Sequence, residues 1–430
     1  MANNPYELLT DDETRSCDAI SDDACKEVPG NFSWIVLNGA LTKLAEQLIS
    51  PKVTLPWLFE FLMVPQAFLG LIVPTRDAGS LLPQLAVAGF IRSQPRRKWF
   101  WVGAAVVQAL TMFASIWAIT WQNPLWSGVW ILFMLLIFSI ASGVGSVSFK
   151  DVSAKVIPQG QRGQMLAARS WIGGALGLAA GVYLIFFVEE KSDLLFTVLF
   201  GSAGFLWLGG AFSYSRVSEY PGATEGGRSP LQSWKSGVEV FKNESNFRKF
   251  IYTRALLMAL PLSIPFMVSV GRTASDGSFS TLGALIVATG LAQVSSSGIW
   301  GKYADKSAPK VMLISALLGV IAVSYVVLYP YLPNEWQSVW TFAPSLFVVG
   351  VAYSGAKISR KTYLMDIAPE ADRPTWVSMA NTSMGIATLV AAGIGSLAAF
   401  WDAQIQLGLY AGLILAGGVL SQRLVKNQRV

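Results

Sequence analysis

The chain has 430 residues, of which 53% are hydrophobic and only 13% are charged, against roughly 25% charged residues in an ordinary soluble protein. Twelve membrane spans of about 20 residues need roughly 240 apolar-rich positions, and 53% of 430 is about 228, so the composition disfavours a soluble enzyme. The chain has no histidine and only two cysteines, so neither a metal site nor a cofactor is expected, and proton chemistry must use carboxylates.

The first 30 residues are acidic and lack the apolar segment of a signal peptide, so we interpret them as a cytoplasmic tail. Apolar stretches long enough to span a membrane follow. Six precede a polar linker at 216–245 and six follow it, before a short tail at 423–430. The predicted spans are 32–58, 66–91, 99–120, 126–148, 165–187 and 194–215, then 246–270, 281–300, 310–330, 339–358, 375–398 and 405–422. This pattern predicts an all-α membrane protein with twelve transmembrane helices in two six-helix bundles, 31–215 and 246–422.

The basic residues are distributed unevenly between the two sets of loops. Twenty-six Lys and Arg fall in the tails and the loops on the N-terminal side, whereas the opposite loops contain only Lys191 and Arg272. Because cytoplasmic loops are enriched in basic residues, both termini are predicted to be cytoplasmic, in a multi-pass protein of a bacterial inner (plasma) membrane. The formal charge of +6 is explained by topology, and no nucleic-acid partner is expected.

The two halves resemble each other at an offset of about 211 residues. Pro158 and Arg162, after the predicted fourth span, are matched by Pro369 and Arg373 after the tenth. A parallel repeat of two bundles is typical of transporters that bind their substrate near the midplane, between the halves.

With twelve predicted spans and this repeat, the chain resembles the major facilitator superfamily over residues 32–425. The family signature Gly-x-x-x-Asp-(Arg/Lys)-x-Gly-(Arg/Lys)-(Arg/Lys) is similar to Gly301-Lys-Tyr-Ala-Asp-Lys-Ser-Ala-Pro-Lys310, which lacks the second glycine. The first copy, from Gly89 to Lys98, has Ser93 in place of the aspartate. The resemblance implies secondary transport by alternating access.

In that family the signature loop gates the cytoplasmic side through ion pairs. The resemblance implies this role for Asp305, Lys306 and Lys310. Arg96 and Arg97 are either part of the gate or only topology anchors, and Arg162 and Arg373 are assigned to the same cytoplasmic gate. The fifth span contains Gly173, Gly174, Gly177 and Gly181, similar to a glycine-rich motif of the family's antiporters; a close helix-packing face is the alternative, and we infer no antiport from it.

Five ionisable residues lie deep inside predicted spans, where each is costly enough to suggest a function. Lys43 lies about 18 Å along the first span, at a rise of ~1.5 Å per residue, and Glu46 follows on the same helix face. Arg76 and Asp77 lie near mid-depth in the second span. Arg254, in the seventh, is related to Lys43 by the repeat offset. Lys43 and Arg254, with Arg76, are therefore predicted to bind an anion between the bundles, whereas permanent pairing within each bundle is the alternative.

Glu46 and Asp77 are the predicted proton-coupling residues. Burial raises the pKa of a carboxyl group and a nearby cation lowers it, so protonation is sensitive to what occupies the site. The sequence thus predicts a monomeric, lipid-embedded transporter of a small organic anion, coupled to H⁺. Two alternatives remain: a proton-driven exporter of amphipathic or cationic compounds, and a non-transporting assembly or receptor protein of the same fold. An enzyme is not expected.

Overall fold

The computed structural model describes residues 25–121, 123–158, 161–187, 193–221, 230–273, 279–369, 373–397 and 402–424. Within them the chain is helical apart from turns and connections. Most of the predicted N-terminal tail, the linker positions 222–229 and the last six residues lie outside these ranges. The boundaries of the tails, linker and bundles remain predictions.

The N-terminal bundle consists of seven helices, two of which belong to the first predicted span. They are α1 (Val28–Leu48), α2 (Thr54–Phe61), α3 (Leu69–Arg92), α4 (Lys98–Thr120), α5 (Pro124–Val156), α6 (Gln161–Phe187) and α7 (Asp193–Ser215). Their inward faces bury aromatic side chains such as Trp57, Phe200 and Tyr214. Inside a membrane, close van der Waals packing of such rings between helices contributes to holding the bundle together.

The C-terminal half begins with a short helix and continues with a second bundle. The helices are α8 (Pro230–Asn243), α9 (Ser245–Leu256), α10 (Ala259–Thr273), α11 (Phe279–Leu328), α12 (Val339–Ile367), α13 (Arg373–Ser396) and α14 (Ala403–Ser421). Gly237 of α8 faces the side chain of Met379 in α13. The linker helix is therefore packed against the C-terminal bundle.

Two predicted spans are broken helices, and proline explains both breaks. The first predicted span ends as α1 at Leu48 and resumes as α2 at Thr54, with Pro51 between them, a residue that cannot donate a backbone hydrogen bond. The seventh is divided at Leu257 and Met258. Pro261 cannot donate to the Leu257 carbonyl, which accepts from Leu260 N at 3.2 Å instead.

The eighth and ninth predicted spans are joined in α11, which has non-helical dihedral angles at Ser307 (φ −161°, ψ 96°) two residues before Pro309. The residue before a proline is pushed out of the α region, and here the bend starts one residue earlier. This bend lies within the signature segment that ends at Lys310. The loop expected between the two spans is thus a sharp kink.

Nine helical stretches in the described residues are long and apolar enough to cross a membrane. The helices of the first two predicted spans are not among them, and each carries ionisable residues in its interior: Lys43 and Glu46 in one, Arg76 and Asp77 in the other. The eighth predicted span is represented by the shorter apolar stretch Thr281–Ser296. The helical membrane fold is confirmed, while the count of twelve spans stays a prediction.

The helix ends define two faces of the molecule. The terminal face contains the start of α1 and the ends of α3, α5, α7, α12 and α14; the opposite face contains the end of α2 and the starts of α3, α5, α7, α12 and α14. At the opposite face the bundles meet at two glycine crossings, Gly70 with Gly395 and Gly181 with Gly283. A Cβ on Gly70, Gly395 or Gly283 would collide with backbone of its partner, and a Cβ on Gly181 would collide with the Val287 side chain and lie 3.2 Å from the Gly283 carbonyl oxygen. The two crossings are related by the internal repeat, since Gly283 and Gly395 follow Gly70 and Gly181 by 213 and 214 residues, respectively.

Candidate functional site

A cavity of about 550 Å³ lies between the two bundles and draws side chains from both. Five basic residues line it, together with two carboxylates. The basic residues are Lys43, Lys52, Arg76, Lys357 and Lys361, and the acidic ones are Glu46 and Asp77. The wall therefore has an excess of positive charge, and the cavity extends toward the terminal face, where Lys361 is exposed.

On the N-terminal bundle the charged wall is a connected group. Lys43 Nζ lies 2.6 Å from Glu46 Oε2, one turn along α1, and Arg76 Nη2 of α3 lies 3.8 Å from Glu46 Oε1. Arg76 Nη2 also donates to Ser142 Oγ at 3.1 Å. Glu46 thus lies between two cations from two helices. The sequence predicted its proximity to Lys43 but not its proximity to Arg76.

Asp77 follows Arg76 in sequence but makes different contacts. Its side chain lies in the cavity wall and forms no ion pair within 4 Å with a described residue. The rotation of about 100° per residue in a helix accounts for the difference. Asp77 is the carboxylate of this wall that a bound molecule or a proton meets without first breaking an ion pair.

Arg254 does not line the cavity in this conformation. It is 8% exposed, and its guanidinium donates to the Ala380 carbonyl and to Asn381 Oδ1 of α13, each at 3.3 Å. The structure therefore brings Lys43, Glu46, Arg76 and Asp77 together in one wall and places Arg254 behind the facing one.

The facing wall on the C-terminal bundle is formed by α12. Tyr353, Lys357 and Lys361 follow at intervals of four residues and share one helix face, which lines the cavity. Among the described residues, neither lysine has a carboxylate within 4 Å. Lys52, from the break between α1 and α2, reaches across the cavity and places its Nζ 3.5 Å from the centre of the Tyr353 ring, a cation–π contact between the bundles.

The glycine-rich face of α6 makes room for α1. A Cβ on Gly173 would collide with Lys43 Cβ, and a Cβ on Gly177 would collide with the side-chain amide of Gln47. Further along, Gly174 faces Val294 and Gly181 faces Gly283, both in α11. These glycines form a close-packing face between α1 and α11, which is the alternative that the sequence left open.

The opposite face is closed beyond the cavity by a polar contact between bundles. Ser269 Oγ of α10 donates to Glu60 Oε1 of α2, and Arg272 Nη1 lies 4.0 Å from Glu60 Oε2. The Arg272 guanidinium also lies 5.8 Å from the Trp57 ring. We call Glu60, Ser269 and Arg272 the opposite-face seal.

At the terminal face, Glu219 connects three elements of the N-terminal bundle. Its side chain is fully buried and accepts from the backbone N–H groups of Arg97 and Lys98, at 2.8 and 2.7 Å, where α4 begins. Lys155 Nζ of α5 lies 2.8 Å away, and Lys98 Nζ donates to the carbonyls of Ser215 and Val217 after α7. Glu219 thus connects the chain after α7 to the start of α4 and to the end of α5.

The contacts described for Arg97 and Arg162, two of the predicted gate residues, lie within the N-terminal bundle. Arg97 Nη1 lies 3.3 Å from Asp151 within its own bundle. Arg162 donates to the carbonyls of Ile157 and Ala154 and so caps the end of α5. Arg96, Asp305, Lys306 and Lys310 are exposed. The side chain of Arg373 lies outside the described residues.

Sequence reasoning missed several residues that the structure places at these sites. Lys357 lies near the end of a predicted span, where snorkelling explains a lysine equally well, and Lys52 lies beside a proline near a predicted helix end. Glu60 falls between the first two predicted spans, and Glu219 falls in the predicted linker. A charge next to a helix break was the available signal for Lys52 and Glu60.

Sequence comparison matches residues 255–429 to the family model described as Major Facilitator Superfamily. Uncharacterized proteins of Mycobacterium tuberculosis and Mycobacterium bovis are 22% identical over 287 residues, which cover 64% of this chain and 54% of theirs. The chain thus spans about half the length of these relatives.

Solved structures match nearly the whole chain. A nucleoside transporter, NupG in a mutant form, superposes with a TM-score of 0.69 at 14% identity, covering 92% of this chain and 100% of that one. A D-xylose–proton symporter superposes with a TM-score of 0.69 at 16% sequence identity, covering 92% of this chain and 97% of that one. The inward-open xylose transporter XylE from E. coli superposes with a TM-score of 0.68 at 15% sequence identity, covering 94% of this chain and 97% of that one. At these identities the matches establish the fold.

Proposed function

We propose that this chain, which has the fold of the major facilitator superfamily and matches that family's model over residues 255–429, is a proton-coupled secondary transporter of a small organic anion. A transporter with this fold moves its substrate by rocking two bundles around a site between them. The anionic substrate and the coupling ion are inferred from the charged residues that line the cavity.

The observation that carries the anionic substrate is the charge of the cavity wall. Five basic side chains from both bundles face a space with only two carboxylates, and Lys357 and Lys361 lack an acidic partner within 4 Å among the described residues. Cations held in a partly dehydrated site without partners are costly. A bound anion offsets that cost, and cations from both bundles can close on it as the bundles rock.

Proton coupling is assigned to Glu46 and Asp77. Glu46 lies between the ammonium of Lys43 and the guanidinium of Arg76. A substrate anion that binds Lys43 competes for the same cation and so favours protonation of the carboxylate. One of the solved structures of this fold is named a D-xylose–proton symporter, and we extend proton coupling from that protein to this one as part of the proposal.

The predicted clamp of Lys43 and Arg254 requires another conformation. Arg254 is bound to the Ala380 carbonyl and Asn381 of α13 and must leave them to reach an anion beside Lys43. In the present conformation Lys357 is the cation that faces Lys43 across the cavity. We therefore propose Lys357 as the C-terminal-bundle partner here, and keep Arg254 as a partner for a conformation in which the cavity has closed.

The proposal is tested by thermal unfolding of the purified protein with panels of organic anions, cations and neutral solutes. A ligand at one hundred times its Kd adds about 2.7 kcal/mol of stability, so particular anions should raise the Tm. Lys357→Gln should lose most of this shift, and the exposed Lys242→Gln on α8 should keep it. Stabilisation by lipophilic cations in both variants would instead support the export alternative, and no stabilisation by any panel would support the non-transporting one.

A further inference from the structure

Part of the cavity wall is formed by the interior of the N-terminal bundle. Beyond the charged wall, α4, α5 and α7 line the cavity with apolar side chains. This lining consists of Met112, Ile131, Leu135, Phe138, Phe200 and Trp207, and each of these residues is 1–6% exposed. We call this part of the cavity the apolar chamber.

The apolar chamber offers mainly apolar surface to a ligand. Ser115 is a polar residue in this part of the lining, and its hydroxyl donates to the Thr111 carbonyl at 2.7 Å within α4. Apolar cavities of this kind favour an apolar group over water. Phe138 and Trp207 meet edge to face at 5.5 Å, so the chamber also offers ring surfaces.

Arg76 stands at the junction of the charged wall and the apolar chamber. Its guanidinium lies 5.3 Å from the Phe138 ring, while the same group binds Ser142 and faces Glu46. Lys43 contacts the same carboxylate of Glu46 from α1. A single molecule can therefore place an anionic group at these cations and an apolar group past Phe138 at the same time.

Building on the proposed function, we infer that the substrate is an amphipathic organic anion: a carboxylate or similar acidic head at Arg76 and Lys43, joined to an aliphatic or aromatic body that enters the apolar chamber. A hydroxyl-rich anion of the same length would fill the chamber with groups that find no hydrogen-bond partner there. Removing these hydroxyl groups from water costs free energy that no new hydrogen bond offsets. The chamber thereby selects among anions that the charged wall alone would accept equally.

The test compares ligands that share one charge. Acetate, butyrate and hexanoate lengthen the apolar body in steps, and gluconate has the six carbons of hexanoate with hydroxyl groups along the chain. For the native protein in lipid nanodiscs, Kd should fall about fourfold for each added methylene, which corresponds to about 0.8 kcal/mol. Hexanoate should bind more tightly than gluconate by at least tenfold.

Variants locate the effect in the chamber. Ile131→Phe fills the chamber and should remove the dependence of Kd on chain length. Ile140→Phe adds the same volume on the outward face of the same helix, where Ile140 is 41% exposed, and should leave the dependence intact. Ser115→Leu, from the facing helix, provides a second chamber-filling variant if Ile131→Phe does not fold.

The outcomes separate this inference from the function on which it rests. Equal affinity for hexanoate and gluconate, or a chain-length dependence that survives both chamber-filling variants, would overturn the inference while anion binding stands. Absence of binding by every anion, together with no stabilisation in the wider anion panel, would overturn the proposed function and the inference with it.

Discussion

Glu219 is the most fully bonded carboxylate in the described structure. It accepts from two backbone N–H groups at the start of α4 and from Lys155, and a negative charge at a helix N-terminus is also favoured by the helix dipole. Because the side chain is fully buried, each of these bonds is shielded from water and salt. At the scale of the residue, this one group joins the chain after α7 to α4 and α5.

Glu219→Gln should lower stability by roughly 2–3 kcal/mol, the range for hydrogen bonds to a charged group. The neutral amide keeps one acceptor but turns an NH₂ group toward donors, and it leaves Lys155 without its charge partner. The thermal unfolding midpoint of the purified protein measures the change. Glu239→Gln, an exposed glutamate on α8, is the matched control, and equal midpoints in the two variants would contradict the prediction.

At the scale of the element, the sequence identified helices well and helix orientation poorly. Long apolar stretches and prolines predict where helices lie and where they break, as at Pro51 and Pro261. The charges Lys43, Glu46, Arg76 and Asp77 were singled out because a charge inside a span is costly, and all four lie in the cavity wall.

The direction that a side chain faces depends on how its helix is rotated, and this is set by packing with other helices. Lys357 and Arg254 illustrate the difficulty. Both are basic residues in predicted spans, yet the lysine lines the cavity and the arginine is buried against α13. The apolar chamber was not predictable, since its lining residues are those of any packed bundle interior.

The glycine crossings provide a test at the scale of the element. A Cβ on Gly395 would lie 2.8 Å from Gly70 Cα and 2.9 Å from its carbonyl oxygen, so α3 and α13 must separate to accept it. Gly395→Ala should therefore favour a conformation that is open at the opposite face. Spin labels at the exposed positions Gln66 and Glu335, in a background without Cys17 and Cys25, should report a longer distance.

Gly393→Ala is the matched control for this variant. It changes the same helix two residues away, where a Cβ meets nothing within 4 Å, so its distance distribution should equal that of the labelled parent. A shift of equal size in both variants would show that helix propensity, and not the crossing, causes the change.

At the scale of the whole molecule, the described contacts between bundles at the opposite face include one ion pair beside the glycine crossings. Glu60 and Arg272 belong to different bundles, and each side chain is 19% exposed. Breaking a pair of this kind costs about 1 kcal/mol, which corresponds to roughly fivefold in the ratio of two conformations. Arg272→Gln should thus increase the population open at the opposite face by about that factor.

The same spin-label pair measures this population. The exchange Glu60→Arg with Arg272→Glu restores opposite charges and should return the distribution toward that of the parent, whereas either single exchange brings like charges together and should open the face further. If the effect of the double exchange is the sum of the effects of the single ones, Glu60 and Arg272 do not act as a pair, and closure of the opposite face does not depend on their attraction.

The two glycine crossings also determine how inherited variation acts on this protein. Gly70, Gly181, Gly283 and Gly395 already have the smallest side chain, so every possible substitution there adds atoms between the bundles. Random mutation elsewhere can strengthen or weaken a contact, but at these four positions it can only push the bundles apart. Mutations at these positions therefore shift the balance between conformations only toward the one that is open at the opposite face. Retaining these glycines requires purifying selection for as long as the protein needs to close that face.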